Sequence, residues 1–287
     1  MKKYAVIDIG SNSVRLMLVA NGNILYKQVE TTRLGEGLAS STLLKDEAIA
    51  RSAKAVETYY QRAINEGAEQ VLAFATAAVR TAENGNVFVE EVKRLCGLDV
   101  EIISGETEAE IGIVGALSQR DGAVIDIGGA STEIVVREQG ALTYKKSVNI
   151  GVVRLKDACG LDREKLEGSA QAAAKQFEGV PKQKTYAIGG TATALGAWYL
   201  GQKTYDGAKV TGTEIPLQSM WEMADKLLTM RADEICAASC MPKGRADVIA
   251  GGAGLLATLM QTLGLPSVTI SDRDNLVWYA TIKGLRI

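Results

Sequence analysis

The chain writes AVIDIG at residues 5–10 and again at 123–128, 118 positions apart. With that offset held and no gaps, Ser13 falls on Ser131, Gly22 on Gly140, Tyr26 on Tyr144 and Lys27 on Lys145. Ten of the 23 positions from 5 to 27 are then identical. Self-similarity at one fixed offset is the trace of a repeated structural unit. Each copy reads as a β-meander. Strands over 4–9, 14–20 and 24–30 are separated by GSNS and NGN, and strands over 123–127, 133–137 and 142–148 by GGAS and EQG. Val and Ile runs bounded by Gly and Asn are the signature of strands and their turns.

Helical and strand patterns fill the rest. Ile49, Ala53, Val56, Tyr60 and Ala63 recur at helical spacing over 46–64. A second helix is expected over 87–96, capped by Gly97, and a third over 106–117, with strands at 71–75 and 100–103. After the second meander come a helix over 163–177, a strand over 185–188 running into GGTATAL, and helices over 217–230 and 246–263. A strand over 268–271 and a helix over 275–283 close the chain. The expected class is α/β in two lobes, residues 1–119 with 273–287 and residues 120–272. A length of 287 residues agrees with about two domains on the rough prior of 100–200 residues each.

Composition narrows the chemistry. The chain contains no histidine. That excludes Ser-His-Asp and Cys-His catalysis, zincin motifs and His-Asp phosphohydrolase sites. Catalysis falls to carboxylates, basic side chains, backbone amides and a hard metal ion. A net charge of −2 gives no general attraction to nucleic acid or acidic membranes, so any polyanion must meet local Arg and Lys. The apolar run over 248–260 is shorter than the roughly 20 residues a bilayer needs. Asp8 interrupts the apolar stretch after the basic N-terminus, and a cytoplasmic location is expected. Of the four cysteines only Cys236 and Cys240 are close; they would share a face if helical, and nothing completes a tetrahedral site. Free thiols are expected.

Each repeated loop sets Asp and Gly at a strand end, followed by small hydroxyl or amide residues. Glycine lets backbone N–H groups approach a ligand closely. Consecutive N–H groups form an anion-binding nest to which hydroxyls add donors. Ser11, Asn12 and Ser13 in the first copy, and Gly128, Gly129, Ser131 and Thr132 in the second, are therefore candidate phosphate-binding residues. An aspartate at the strand end can hold a divalent cation.

DIGSNSVRL at 8–16 and DIGGASTEIV at 126–135 resemble the two phosphate loops of the exopolyphosphatase and guanosine pentaphosphate phosphohydrolase family. ATAAVRTAENGNVFVEEV at 75–92, VEIISGETEAEIGIVGAL at 100–117, IGGTATAL at 188–195 and GRADVIAGG at 244–252 extend the resemblance over nearly the whole chain. It implies a two-lobed, actin-like and sugar-kinase-like fold of duplicated ribonuclease H-like domains around a central cleft. It also implies roles. Glu108 would be the general base for water and Arg80 a phosphate ligand. Asp126 and Glu133, with Asp8 from the other copy, would hold Mg²⁺, or Mn²⁺ in its place. Arg15 and Arg154 are further phosphate candidates. Three departures mark this chain: Ala130 for a loop glycine, GETEA for a segment that usually has paired glutamates, and SDRDNLVWY near the end. The form expected is the short one, without a C-terminal His-Asp domain.

The function expected is release of terminal orthophosphate from polyphosphate or guanosine pentaphosphate. The alternatives are a small-molecule kinase of the same superfamily and a phosphate-ligand sensor without catalysis. Partners are limited to that substrate and, at most, a second copy in a homodimer, with no nucleic acid and no membrane.

Overall fold

The computed structural model describes residues 2–117, 120–272 and 275–285. Its contacts divide the chain into one unit of Met1–Ile111 with Asn275–Ile287 and another of Gly112–Asp274. The first opens with β1 (Lys3–Ile9), β2 (Ser13–Ala20) and β3 (Asn23–Thr31). It continues with α1 (Asp46–Asn65), β4 (Gln70–Ala75), α2 (Ala77–Thr81), α3 (Gly85–Cys96), β5 (Val100–Ile102) and the start of α4 (Gly105–Leu117). The second runs through β6 (Gly122–Ile127), β7 (Thr132–Glu138), β8 (Ala141–Val148), α5 (Val152–Cys159), α6 (Arg163–Ala174), β9 (Thr185–Ile188), α7 (Gly189–Tyr199) and α8 (Gly207–Val210). It then adds β10 (Glu214–Pro216), α9 (Leu217–Leu228), α10 (Ala232–Ala238), α11 (Lys243–Ala246), α12 (Ile249–Thr262) and β11 (Ser267–Ile270). The closing helix α13 (Asn275–Ile282) belongs to the first unit.

Each unit is built on one mixed sheet, ordered β3-β2-β1-β4-β5 in the first and β10-β11-β9-β6-β7-β8 in the second. Strand side chains alternate between faces. Ala5, Ile7 and Ile9 accordingly join Val14, Leu16 and Leu18 in one core with residues of α1 and α3. Val6, Met17, Val19 and Phe74 form a second core on the opposite face with Leu276 and Tyr279 of α13. In the second unit Ile125, Ile127 and Ile134 enter a single large core with α5, α6, α7, α9 and α12.

The duplication survives in the backbone. The β2/β3 ladder breaks register between Leu18 and Val19, and β7/β8 between Val136 and Arg137, the same place after adding 118. Both hairpin turns use two left-handed residues, Asn21 (φ 50°) with Gly22 (φ 82°) and Gln139 (φ 51°) with Gly140 (φ 79°). Such turns match the twist of the strands they join. In the second copy the amides of Gly140 and Gln139 both donate to Asp121, at 3.0 and 2.7 Å, which holds that carboxyl below its usual range.

The α/β class and most elements agree with the sequence reading. Helices α5 and α7 do not appear in it. In α7 the buried residues Thr191, Ala192, Leu195, Gly196 and Ala197 leave no polar stripe to reveal a helical period. Cys236 and Cys240 do not share one helix, because α10 ends at Ala238. All four cysteines are free thiols. No helix among the described residues is long and apolar enough to cross a membrane.

Candidate active site

In an α/β sheet, ligands bind beyond the carboxyl ends of the parallel strands. In the first unit three segments leave that end. The loop 10–12 follows β1, α2 follows β4 and α4 follows β5, with Thr76 N–H donating to Ile9 O (3.1 Å) and Ile103 N–H to Ala75 O (3.1 Å). In the second unit the loop 128–131 follows β6, and α7 follows β9 directly.

Both loops close with the same bond, Gly10 N–H to Ser13 O at 3.0 Å and Gly128 N–H to Ser131 O at 2.9 Å. Two carbonyls of each loop are engaged by the protein. Asn12 O accepts from the amides of Thr32 (3.1 Å) and Arg33 (2.9 Å), and Ser11 O from Gly35 (2.8 Å). Gly128 O accepts from Val152 (3.0 Å), and Gly129 O from Val153 (2.8 Å) and Arg154 (3.3 Å). The amides of Ser11 and Asn12, and of their counterparts Gly129 and Ala130, have no hydrogen-bond partner among the described residues. Each loop thus turns two of its carbonyls into the protein and leaves two consecutive donors, the arrangement of an anion nest. Asn12 adds a side-chain amide, 5 % exposed, whose buried oxygen and nitrogen also lack partners. Buried polar groups are nearly always satisfied, so this amide fits a ligand contact. Ser11, Ser13 and Ser131 are buried beside it or at the equivalent place. Thr132 differs: its hydroxyl donates to Ile150 O (2.7 Å), tying the second loop to the segment before α5. Ala130, in place of a glycine, leaves the loop closed.

Two glycines permit this packing. A Cβ on Gly151 would lie 2.5 Å from Gly128 O and 2.5 Å from the carbonyl carbon of Gly129. Both are backbone atoms that cannot rotate away. Gly151→Ala is expected to cost about 1–3 kcal/mol, the usual range for overpacking, and to weaken phosphate binding by the second loop. Denaturant unfolding and titration with tripolyphosphate measure the two effects, and unchanged values in both would show that α5 does not clamp the loop. Gly189 has φ +78°, and a Cβ there would come within 2.3 Å of Asp126 Oδ1. The Asp126 carboxylate therefore lies against the first turn of α7, where the helix dipole favours negative charge.

Asp126 and Glu133 are directly opposite each other on β6 and β7. Glu133 is 3 % exposed and accepts from Ser147 Oγ at 2.6 Å. Paired hard oxygen donors suit Mg²⁺ or Mn²⁺. Among the described residues no group of three or more His, Cys, Asp or Glu side chains is gathered to hold a metal. A cation held by Asp126 and Glu133 would complete its shell with water and phosphate oxygens, which Mg²⁺ normally keeps. Asp8, 1 % exposed, forms an ion pair with Arg15.

Glu108 is 9 % exposed in the first turn of α4. Ser104 caps that turn, its hydroxyl accepting from Thr107 N–H at 3.0 Å. Arg80, on α2, donates through Nη1 to Glu108 Oε2 (2.9 Å) and to Ile103 O (3.0 Å). Its Nη2 and Nε have no partner among the described residues, so one edge of the guanidinium fork remains available to an anion. Arg154 lies at the second loop through its backbone, and burial lowers its guanidinium pKa while Asp157 raises it. Arg245, which the sequence reading did not single out, lies over the start of α7: a Cβ on Gly190 would be 2.2 Å from its Nη2. The GRADVIAGG stretch was the only signal for it.

Residues 6–274 match the model of the Ppx/GppA phosphatase family. The chain is 30% identical over 313 residues to Exopolyphosphatase 2 of Mycobacterium tuberculosis, covering 96% of this chain and 97% of that one. It is 30% identical over 292 residues to the guanosine-5'-triphosphate,3'-diphosphate pyrophosphatase of Photobacterium profundum, covering 96% of this chain and 58% of the relative. The crystal structure of the Aquifex aeolicus Ppx/GppA family member superposes with a TM-score of 0.76 at 26% identity, covering 98% of each chain. Two copies of one β-meander, carried on this fold and matched along nearly the full length, place the chain in the Ppx/GppA phosphatase family, a family of hydrolases.

Proposed function

We propose that this phosphatase is a divalent-cation-dependent hydrolase that releases terminal orthophosphate from inorganic polyphosphate or guanosine pentaphosphate. The observation that carries the reading is the pair of loops with partnerless amides at equivalent positions, Ser11 and Asn12 in one and Gly129 and Ala130 in the other. Such nests bind phosphate oxygens, and both substrates end in a phosphoanhydride. The names of the Mycobacterium and Photobacterium relatives support these two substrate classes.

In this reading Glu108 accepts a proton from the attacking water as its oxygen bonds to the terminal phosphorus. The bridging P–O bond breaks and the shortened chain leaves as a phosphate. Arg80 holds the Glu108 carboxylate with Nη1 and offers Nη2 and Nε to the terminal phosphate. Loop amides receive the remaining phosphate oxygens, and charge stabilisation of this kind supplies most of the catalysis in phosphoryl transfer. A divalent cation, when held by Asp126 and Glu133, neutralises phosphate charge.

Phosphate release from long polyphosphate and from guanosine pentaphosphate, with Mg²⁺ and without an acceptor, tests the reading. Release from at least one is expected; strict dependence on an acceptor would indicate a kinase. A second check addresses the loops. A Cβ on Gly10 or Gly128 would lie 3.1 or 3.3 Å from the Ser13 or Ser131 carbonyl oxygen that closes the turn. Gly10→Val and Gly128→Val should each weaken tripolyphosphate binding about tenfold or more, the scale of one or two hydrogen bonds to a charged group. If only one of two folded variants binds more weakly, the other loop is not a phosphate grip.

A further inference from the structure

The stretch ATAAVRTAENG carries Arg80 on α2 and then turns into α3 through Asn84 and Gly85. Asn84 directs its whole side chain at one residue 40 positions away. Its Oδ1 accepts from Leu44 N–H at 2.8 Å, and its Nδ2 donates to Leu44 O at 2.9 Å. Beside it, Glu83 N–H donates to Thr42 O at 3.0 Å. An amide that engages both backbone groups of one residue works as a short length of strand and fixes position in two directions. The turn is also pressed onto α2. A Cβ on Gly85 would lie 2.0 Å from the carbonyl oxygen of Val79, the residue before Arg80. We propose that Asn84 is a positioning residue for Arg80, setting it against the first phosphate loop so that one terminal phosphate meets both. This deepens the function proposed above and rests on it.

The segment over 32–44 is what Asn84 connects to α2. At its start the amides of Thr32 and Arg33 donate to Asn12 O, and that of Gly35 donates to Ser11 O. A Cβ on Gly35 would stand 3.0 Å from Ser11 Cβ and 3.5 Å from Ala78 Cβ, which places this glycine between the loop and α2. Leu34, Leu38 and Leu44 are buried in one core with Ala78, Val79 and Phe88. Its far end is the residue that Asn84 holds. The loop therefore reaches α2 by two routes. One is the bond from Thr76 N–H to Ile9 O, which fixes the start of the helix, and the other is this segment, which fixes its end. A five-residue helix is too short to hold itself in place and takes its orientation from such anchors. With one anchor α2 could tilt, and Arg80 lies near the end that would move. A displacement of about 1 Å at a site that grips one phosphate from two sides can cost about 10²-fold.

Calorimetric titration with tripolyphosphate across a double-mutant cycle of Asn84→Ala and Arg80→Ala tests this, with phosphate release measured alongside. Each single variant should weaken binding about tenfold, the scale of a lost charge-assisted contact. The double variant should bind within about twofold of Arg80→Ala alone, because a residue acting through another couples fully to it. A residue that only stabilises the fold would add its own loss in both backgrounds. Asn84→Asp is isosteric and sets a second acceptor against Leu44 O, so it should reproduce the loss, and it decides the matter should Asn84→Ala fail to fold. Wild-type binding by an Asn84 variant with an unchanged circular dichroism spectrum overturns the proposal. A full Asn84→Ala loss in the Arg80→Ala background does the same, as does normal binding by Arg80→Ala, which would remove Arg80 from the phosphate. If the cycle holds but the wild type releases no phosphate, the hydrolase reading fails while the positioning role of Asn84 stands.

Discussion

Glu108→Gln is expected to lower turnover by about 10²–10⁴, the contribution of a positioned general base, with substrate affinity nearly unchanged. The amide is isosteric and can still accept from Arg80 Nη1 through its oxygen, so the α2–α4 contact survives. What it loses is the capacity to take a proton from water. The Ser104 cap on α4 does not involve the Glu108 side chain, so folding should be unaffected. Circular dichroism and tripolyphosphate binding check that the protein is intact, and steady-state phosphate release measures the effect. Wild-type turnover would remove Glu108 from the chemistry.

Arg80→Ala should lower kcat/KM by about 10²–10³, the range seen when one preorganised charge-stabilising donor is removed. The loss should be similar for short polyphosphate, long polyphosphate and guanosine pentaphosphate. The reason lies in the contact between Arg80 and Glu108 at 2.9 Å. If Glu108 meets the attacking water, the free edge of Arg80 meets the phosphate under attack, which every substrate presents. A loss that grows with chain length would place Arg80 on an extended track away from the reacting phosphorus. Arg80→Lys should recover only part of the activity, because lysine restores charge without the planar fork. The double variant with Glu108→Gln should fall well short of the product of the single losses, since each residue orients the other.

Much of this was legible before the structure, for a physical reason. Strands announce themselves through Val and Ile runs between turn residues, and a duplicated run announces itself twice, so both meanders were readable to within a residue or two. The loops followed, because Asp and Gly at a strand end restrict what the backbone can do. The equivalence of Asp8 with Asp126 needed only the offset. That the partner opposite each aspartate is Arg15 in one copy and Glu133 in the other required the ladder register. Contacts between distant segments were not readable at all. Arg80 and Glu108 stand 28 positions apart on helices that follow different strands, and only the parallel order β1-β4-β5 brings their ends together. Helix α7 was hidden by its apolar surroundings, and with it the packing of Asp126 on Gly189 and of Arg245 on Gly190.

Hydrolysis in ¹⁸O-labelled water shows whether water attacks the terminal phosphorus. Mass spectrometry of the products should find one solvent oxygen in each orthophosphate released and none in the shortened polyphosphate or nucleotide. Label in the remaining chain would place the attack on the inner phosphorus, and phosphate transfer only to an added acceptor, without label, would contradict hydrolysis altogether.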